Sequence, residues 1–332
     1  MSAEQESDSD LVAQLLRAAG RREEPPADAY RQTLDAATIA WRRTVRGRKR
    51  QRFIGWAAAA CVVAAVAVGL LIHGIRPNGA AIVARVERVI GAAEARGARD
   101  ARWMPVNDRS PPLVQGAFLR TDKSGLAGVL LSGGASLRLA ERTEISFDSE
   151  SRVHLFAGRV YLDNGGSSGS AQRIEIETPA GVASDVGTQF EVQYVDAAYR
   201  VRVREGRVYI RRGAEAIESA AGEEISIDAA GTVTRERIAR DHQDWRWVET
   251  LSPAPDLEGQ PVSTLLAWVA RETGRAVKFE PPEIEQKARS TILHGDIGAL
   301  APLEALEVML ETTDLAHTVL EDGTIVIRSR GT

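Results

Sequence analysis

Covalent, redox and metal chemistry in proteins runs largely on cysteine and histidine, and this chain of 332 residues carries one cysteine, Cys61, and five histidines. The histidines are His73, His154, His242, His294 and His317. No pair has a ligand spacing such as His-x-x-x-His, and no second cysteine completes a zinc set. A single cysteine also excludes an intramolecular disulfide. The sequence has no Gly-x-x-x-x-Gly-Lys-Ser/Thr loop and no Gly-x-Gly-x-x-Gly after a strand. The expectation is therefore no metal, no cofactor and no enzyme of the common classes. The most concentrated chemistry is electrostatic: Arg42, Arg43, Arg46, Arg48, Lys49, Arg50 and Arg52 crowd the fifteen residues before an uncharged stretch.

That stretch, Phe53 to Ile72, is twenty residues of FIGWAAAACVVAAVAVGLLI. At helical rise it covers about 30 Å, the thickness of a bilayer's hydrocarbon core. It starts too late in the chain for a signal sequence, and the pattern predicts one transmembrane helix. The fifteen residues after it carry only Arg76 and Arg85 as basic residues, so the seven preceding positive charges place the N-terminus in the cytoplasm. The chain's net charge of −4 divides accordingly: residues 1–52 hold 11 basic and 8 acidic side chains, residues 73–332 hold 31 and 38. An acidic outer part argues against nucleic acid as a partner, and the basic flank reads as a topology signal facing anionic lipid.

Residues 1–52 predict two amphipathic helices. Asp8, Ser9 and Asp10 cap a stripe of Leu11, Val12, Leu15, Leu16 and Ala19 that stops at Gly20. After Pro25 and Pro26, a second stripe holds Tyr30, Leu34, Ala37, Trp41 and Val45. So short a pair buries little apolar area by itself, which makes Leu15, Leu16, Leu34 and Trp41 the expected contacts to a cytoplasmic partner.

Beyond the span the apolar period changes from 3.6 to 2. Alternation marks strands near 83–89, 135–139, 144–147, 153–162, 174–178, 190–194, 199–210 and 224–228. Eight or more short strands predict an antiparallel two-sheet sandwich or a short solenoid. An internal echo runs through it, since Gly158-Arg159-Val160-Tyr161-Leu162 recurs as Gly206-Arg207-Val208-Tyr209-Ile210. Each glycine is expected at a bulge or tight bend. After an exposed linker at Ser252-Pro253-Ala254-Pro255, the pattern becomes mixed: helices at 262–272 and 302–311, and strands at 276–279, 317–320 and 324–327. That gives two helices on one face of a small mixed sheet.

Several motifs in order resemble the FecR domain: Leu119-Arg120-Thr121, Phe156-Ala157-Gly158-Arg159-Val160, Thr178-Pro179-Ala180-Gly181-Val182, Val186-Gly187-Thr188-Gln189-Phe190-Glu191-Val192 and Val203-Arg204-Glu205-Gly206-Arg207-Val208. The resemblance covers roughly 80–240 and implies a single-pass regulator of an extracytoplasmic-function sigma factor, with this domain in the periplasm. It also implies a point of self-cleavage at the Gly187–Thr188 bond, for which Asp185 is the nearest candidate base. Anti-sigma relatives usually carry a tryptophan-rich cytoplasmic segment, whereas this one has only Trp41. The last eighty residues, from Leu257-Glu258-Gly259 through Glu272-Thr273-Gly274 to Ile325-Val326-Ile327, resemble the STN module, a protein-docking unit of secretins and TonB-dependent transducers.

The expected organisation is a cytoplasmic helical segment (1–52), a transmembrane helix (53–72), a jelly-roll-like all-β periplasmic sandwich (80–240) and a small α+β STN-like domain (256–330). The expected partners are a sigma factor inside and an outer-membrane transducer or other periplasmic protein outside, with the chain in the inner membrane. A different class of function fits the same composition, an envelope scaffold or binding protein whose outer modules recognise cell-wall glycan or a secretion partner.

Overall fold

The computed structural model describes residues 17–18, 81–165, 172–185, 187–298 and 300–331. The chain divides into two units, Met1–Gly79 and Ala80–Thr332. In the first, only Arg17 and Ala18 are described, both helical and exposed. The predicted span, its basic flank from Arg42 to Arg52 and the stripe residues Leu15, Leu16, Leu34 and Trp41 lie outside the described residues. Among the described residues no helix is long and apolar enough to cross a membrane.

Two sheets face each other across one apolar core in the second unit. The first runs, in spatial order, β4 (Leu113–Val114), β1 (Ile82–Ile90), β6 (Leu126–Leu131), β7 (Ser136–Leu139), the second half of β9 (Arg152–Asp163), β12 (Gln189–Val195), β13 (Ala198–Glu205), β16 (Glu223–Ile227) and β17 (Val233–Arg237). The second runs β3 (Met104–Pro105), β2 (Ala93–Arg96), β5 (Phe118–Thr121), β8 (Glu144–Ser149), the first half of β9, β10 (Glu175–Thr178), β11 (Gly181–Asp185), β14 (Arg207–Arg212) and β15 (Glu215–Ala220). The expected two-sheet sandwich is present. It is not wholly antiparallel, because β9 and β10 pair in parallel.

The echoed glycines are where the chain changes sheets. In β9, Val153 and Leu155 face the core before Gly158, and Val160 and Leu162 face it after, so the inward parity moves by one residue. The same shift occurs at Gly206, where inward Tyr199, Val201 and Val203 give way to inward Val208 and Ile210. What alternation alone read as one strand over 199–210 is therefore two strands in different sheets. Both glycines sit at positive φ, +100° and +82°. A Cβ at Gly158 would lie 2.5 Å from Thr143 Cα, and one at Gly206 2.5 Å from Thr188 Cγ2. Each crossing thus needs the left-handed conformation and the missing side chain.

The outer face of the first sheet is covered by the segment that follows β17. Gln243–Trp245 forms a 3₁₀ turn and α1 (Arg246–Glu249) succeeds it, with Trp245 packed edge-on against Tyr161 at 5.8 Å. Ser252 is buried rather than exposed as the linker reading had it, because its hydroxyl donates to Glu272; Pro253 and Ala254 are exposed. The C-terminal module then has its own core, under α2 (Val262–Thr273), α3 (Ile284–Ser290) and α4 (Pro302–Glu311). Its sheet orders β18 (Val277–Phe279), β20 (Ile325–Ser329) and β19 (Leu315–Val319), parallel then antiparallel. The expected helices and mixed sheet are there, with α3 in addition.

Candidate functional site

Asp185 closes β11 and Thr188 opens the way into β12, and the chain between them turns back through Gly187 at φ +72°. That conformation is one glycine adopts without cost. The turn brings the Asp185 carboxylate over the start of β12, where Oδ2 accepts from Thr188 Oγ1 at 3.0 Å and from Thr188 N at 3.2 Å. Its Oδ1 accepts from Ile174 N at 3.0 Å, and Asn164 Nδ2 donates to Oδ2 at 3.1 Å. Asp185 is 0% exposed and Thr188 1%. The three residues that the resemblance singled out, Asp185, Gly187 and Thr188, therefore form one constellation, a buried hydroxyl with a buried carboxylate acceptor adjoining a half-buried glycine's peptide bond. A hydroxyl so paired is the arrangement an activated nucleophile requires.

The turn is held from a second side by residues not foreseen from the sequence as site residues. Asn164 N donates to Thr188 O at 3.0 Å. Asp163 Oδ2 accepts from Gln189 Nε2 at 3.0 Å, and Asp163 Oδ1 accepts from Gly165 N at 3.2 Å and from Arg271 Nη2 of α2. These partners are scattered from 163 to 271, so only the sheet order brings them together.

Arg271 belongs to a polar seam between the sandwich and the C-terminal module. Arg138, on the outer face of β7, forms a two-pronged pair with Glu272, Nη1 to Oε2 at 2.8 Å and Nη2 to Oε1 at 3.1 Å, and also donates to Val248 O at 3.0 Å. Arg204 of β13 donates through Nε to Arg240 O and through Nη1 to Glu272 O, both at 2.7 Å, placing a cation at the C-terminal end of α2. Glu191 of β12 accepts from Trp247 Nε1 at 3.1 Å and lies 3.5 Å from Arg202 Nη1, which reaches Asp244 at 2.9 Å. Burial pushes the Glu191 carboxyl above the ordinary glutamate value, with Arg159 and Arg202 opposing.

On the opposite face of the sandwich, Asp148, His154 and Glu177 place donor atoms within 4.8 Å of one another. Register explains this: His154 on β9 pairs with Glu177 on β10 and with Ser146 on β8, two residues from Asp148. Linear ligand spacing, the basis for expecting no metal, does not detect such cross-strand neighbours.

The comparisons bear on residues in this part of the chain. The family model described as FecR protein matches residues 117–209, which contain Asp185, Gly187, Thr188 and both sheet-crossing glycines. No curated protein matches. Among solved structures, two crystal structures of a proposed anti-sigma factor from Parabacteroides distasonis ATCC 8503 align at 13% and 14% identity. Each covers 64% of this chain and 99% of its own, with a TM-score of 0.35, and at that score the likeness carries no argument. Over residues 117–209, the chain carries a FecR-family domain.

Proposed function

We propose that this chain is a single-pass inner-membrane transducer that regulates an extracytoplasmic-function sigma factor in response to a periplasmic protein signal. The family match over residues 117–209 carries the reading. The uncharged run at 53–72 and its one-sided basic flank support the topology. In this reading the sandwich and the STN-like module lie in the periplasm, where an outer-membrane transducer or another periplasmic protein docks. The segment bearing Leu15, Leu16, Leu34 and Trp41 holds or releases the sigma factor.

The aligned Thr188 hydroxyl supports self-cleavage as part of this function. Thr188 Oγ attacks the Gly187 carbonyl carbon while Asp185 takes the hydroxyl proton; the C–N bond breaks and the proton passes to the Thr188 amine. Water then adds to the resulting ester, leaving a carboxylate on Gly187 and the hydroxyl restored on Thr188.

Transcript profiling of cells carrying the wild-type chain or a Leu15→Asp, Leu16→Asp, Trp41→Asp variant tests the regulatory reading. A coherent set of promoters served by one sigma factor should change, and identical profiles would refute it. An immunoblot of C-terminally tagged chain should show a fragment beginning at Thr188, absent in Thr188→Ala; intact wild type would dispose of the cleavage step.

A further inference from the structure

Arg271 stands in the last turn of α2 and reaches out of the C-terminal module to Asp163 at the end of β9. The Asp163 side chain is 7% exposed, so its charge has little solvent to stabilise it and depends on that cation and on the donors from Gly165 and Gln189. Gly165 lets the guanidinium lie against the backbone, since a Cβ there would stand 3.0 Å from Arg271 Nη2. The next residue after Asp163 is Asn164, whose N–H holds the Thr188 carbonyl and whose side-chain amide holds Asp185. Gln189, bonded to the other oxygen of Asp163, directly follows Thr188. A single cation from the C-terminal module thus anchors the pair of residues that clamps Thr188 on one side and Asp185 on the other.

We infer that Arg271 is a positioning residue for the Gly187–Thr188 bond, and that through the Arg271–Asp163 pair the C-terminal module sets the alignment of the Thr188 hydroxyl against Asp185. The inference rests on the cleavage reading for its consequence, but its physical content is a coupling between α2 and the turn. A protein that docks on the C-terminal module and shifts α2 would change the geometry of this bond without touching it. An unbroken series of bonds connects α2 to the turn through Asp163 and Asn164. Loss of the cation leaves Asp163 buried with neutral donors only. The 163–165 segment then loosens, and the Asn164 clamp loosens with it.

The test uses the full chain in detergent with a C-terminal tag, as wild type, Arg271→Ala, Arg271→Lys and Trp268→Phe. The last removes a different bond from the same helix, Trp268 Nε1 to Pro253 O at 3.0 Å. Amide hydrogen exchange is followed in the uncleaved chain at Asn164, Gly165 and Thr188, together with the rate of fragment formation. In Arg271→Ala the three amides should exchange roughly tenfold faster, with partial return in Arg271→Lys and wild-type values in Trp268→Phe. Fragment formation should slow by a similar factor. Wild type that forms no fragment, with the same exchange pattern, removes the cleavage reading and leaves the positioning role standing. Exchange unchanged in Arg271→Ala, or raised equally by Trp268→Phe, overturns the inference.

Discussion

Arg138 and Glu272 meet where neither has appreciable solvent, and the two-pronged geometry, with Ser252 Oγ also donating to the carboxylate at 2.9 Å, satisfies both charges. Such a pair adds little over an apolar one but is costly to break from one side. Arg138→Ala should therefore destabilise the full chain by about 3–5 kcal/mol, while Arg138→Met combined with Glu272→Leu should recover most of that loss. Thermal unfolding of both variants checks it, and a double variant no better than the single would contradict it. Glu191 makes the complementary prediction for pH. Its raised carboxyl favours the fold fully below the ordinary value of 4.5, and that contribution is lost as pH rises through the raised value. Glu191→Gln keeps an acceptor for Trp247 and should gain stability relative to wild type as pH climbs above 4.5; a constant difference in Tm across that range would count against it. At this scale the sequence was half legible. Alternation correctly turned Arg138, Glu191, Arg202 and Arg204 away from the sandwich core, but a period of two says only that a residue faces outward, not that solvent meets it there. The segment that covers them begins more than thirty residues after Arg204.

The elements were legible where they alternate over five or more residues, as in β1, β9, β12 and β13. They were missed where the strand is too short for a period, as in Met104–Pro105 and Leu113–Val114, or where small and consecutive apolar residues blur it, as in Leu126–Leu131. Helix α3 escaped because only Ile284 and Ala288 mark its buried side. The glycine bends were read correctly, and they allow a controlled comparison. Gly206 and Gly213 both sit at positive φ, but a Cβ at Gly206 would meet Thr188 Cγ2 at 2.5 Å, whereas one at Gly213 would meet nothing within 4 Å. Gly213→Ala should cost only the conformational part, about 1 kcal/mol, and Gly206→Ala about 2–4 kcal/mol because Thr188 must move as well. Chemical denaturation of the two variants decides; equal losses would mean that the crossing at Gly206 has slack that the contact distance denies.

For the molecule as a whole, the net charge of −4 hides a basic segment of 52 residues and an acidic part of 260 beyond the uncharged run. The part from Ala80 onward has two large apolar cores, and the seam of buried ions between them packs around a small third cluster of Tyr161, Trp245 and Val248. A polar seam fits a joint that passes a change between modules, since charged contacts depend on geometry more sharply than apolar ones. The change from a strand period to a helix period after the sandwich was readable in sequence; the seam was not, because its members are up to 134 residues apart.

Affinity capture decides whether this chain holds a sigma factor on the cytoplasmic side. Tagged residues 1–52 are incubated with the soluble fraction of the source cells, and bound proteins are identified by mass spectrometry. One extracytoplasmic-function sigma factor should be retained, and it should be lost when Leu15, Leu16, Leu34 and Trp41 are replaced by aspartate. Absence of any sigma factor from the wild-type capture, or its equal retention by the substituted segment, would contradict it.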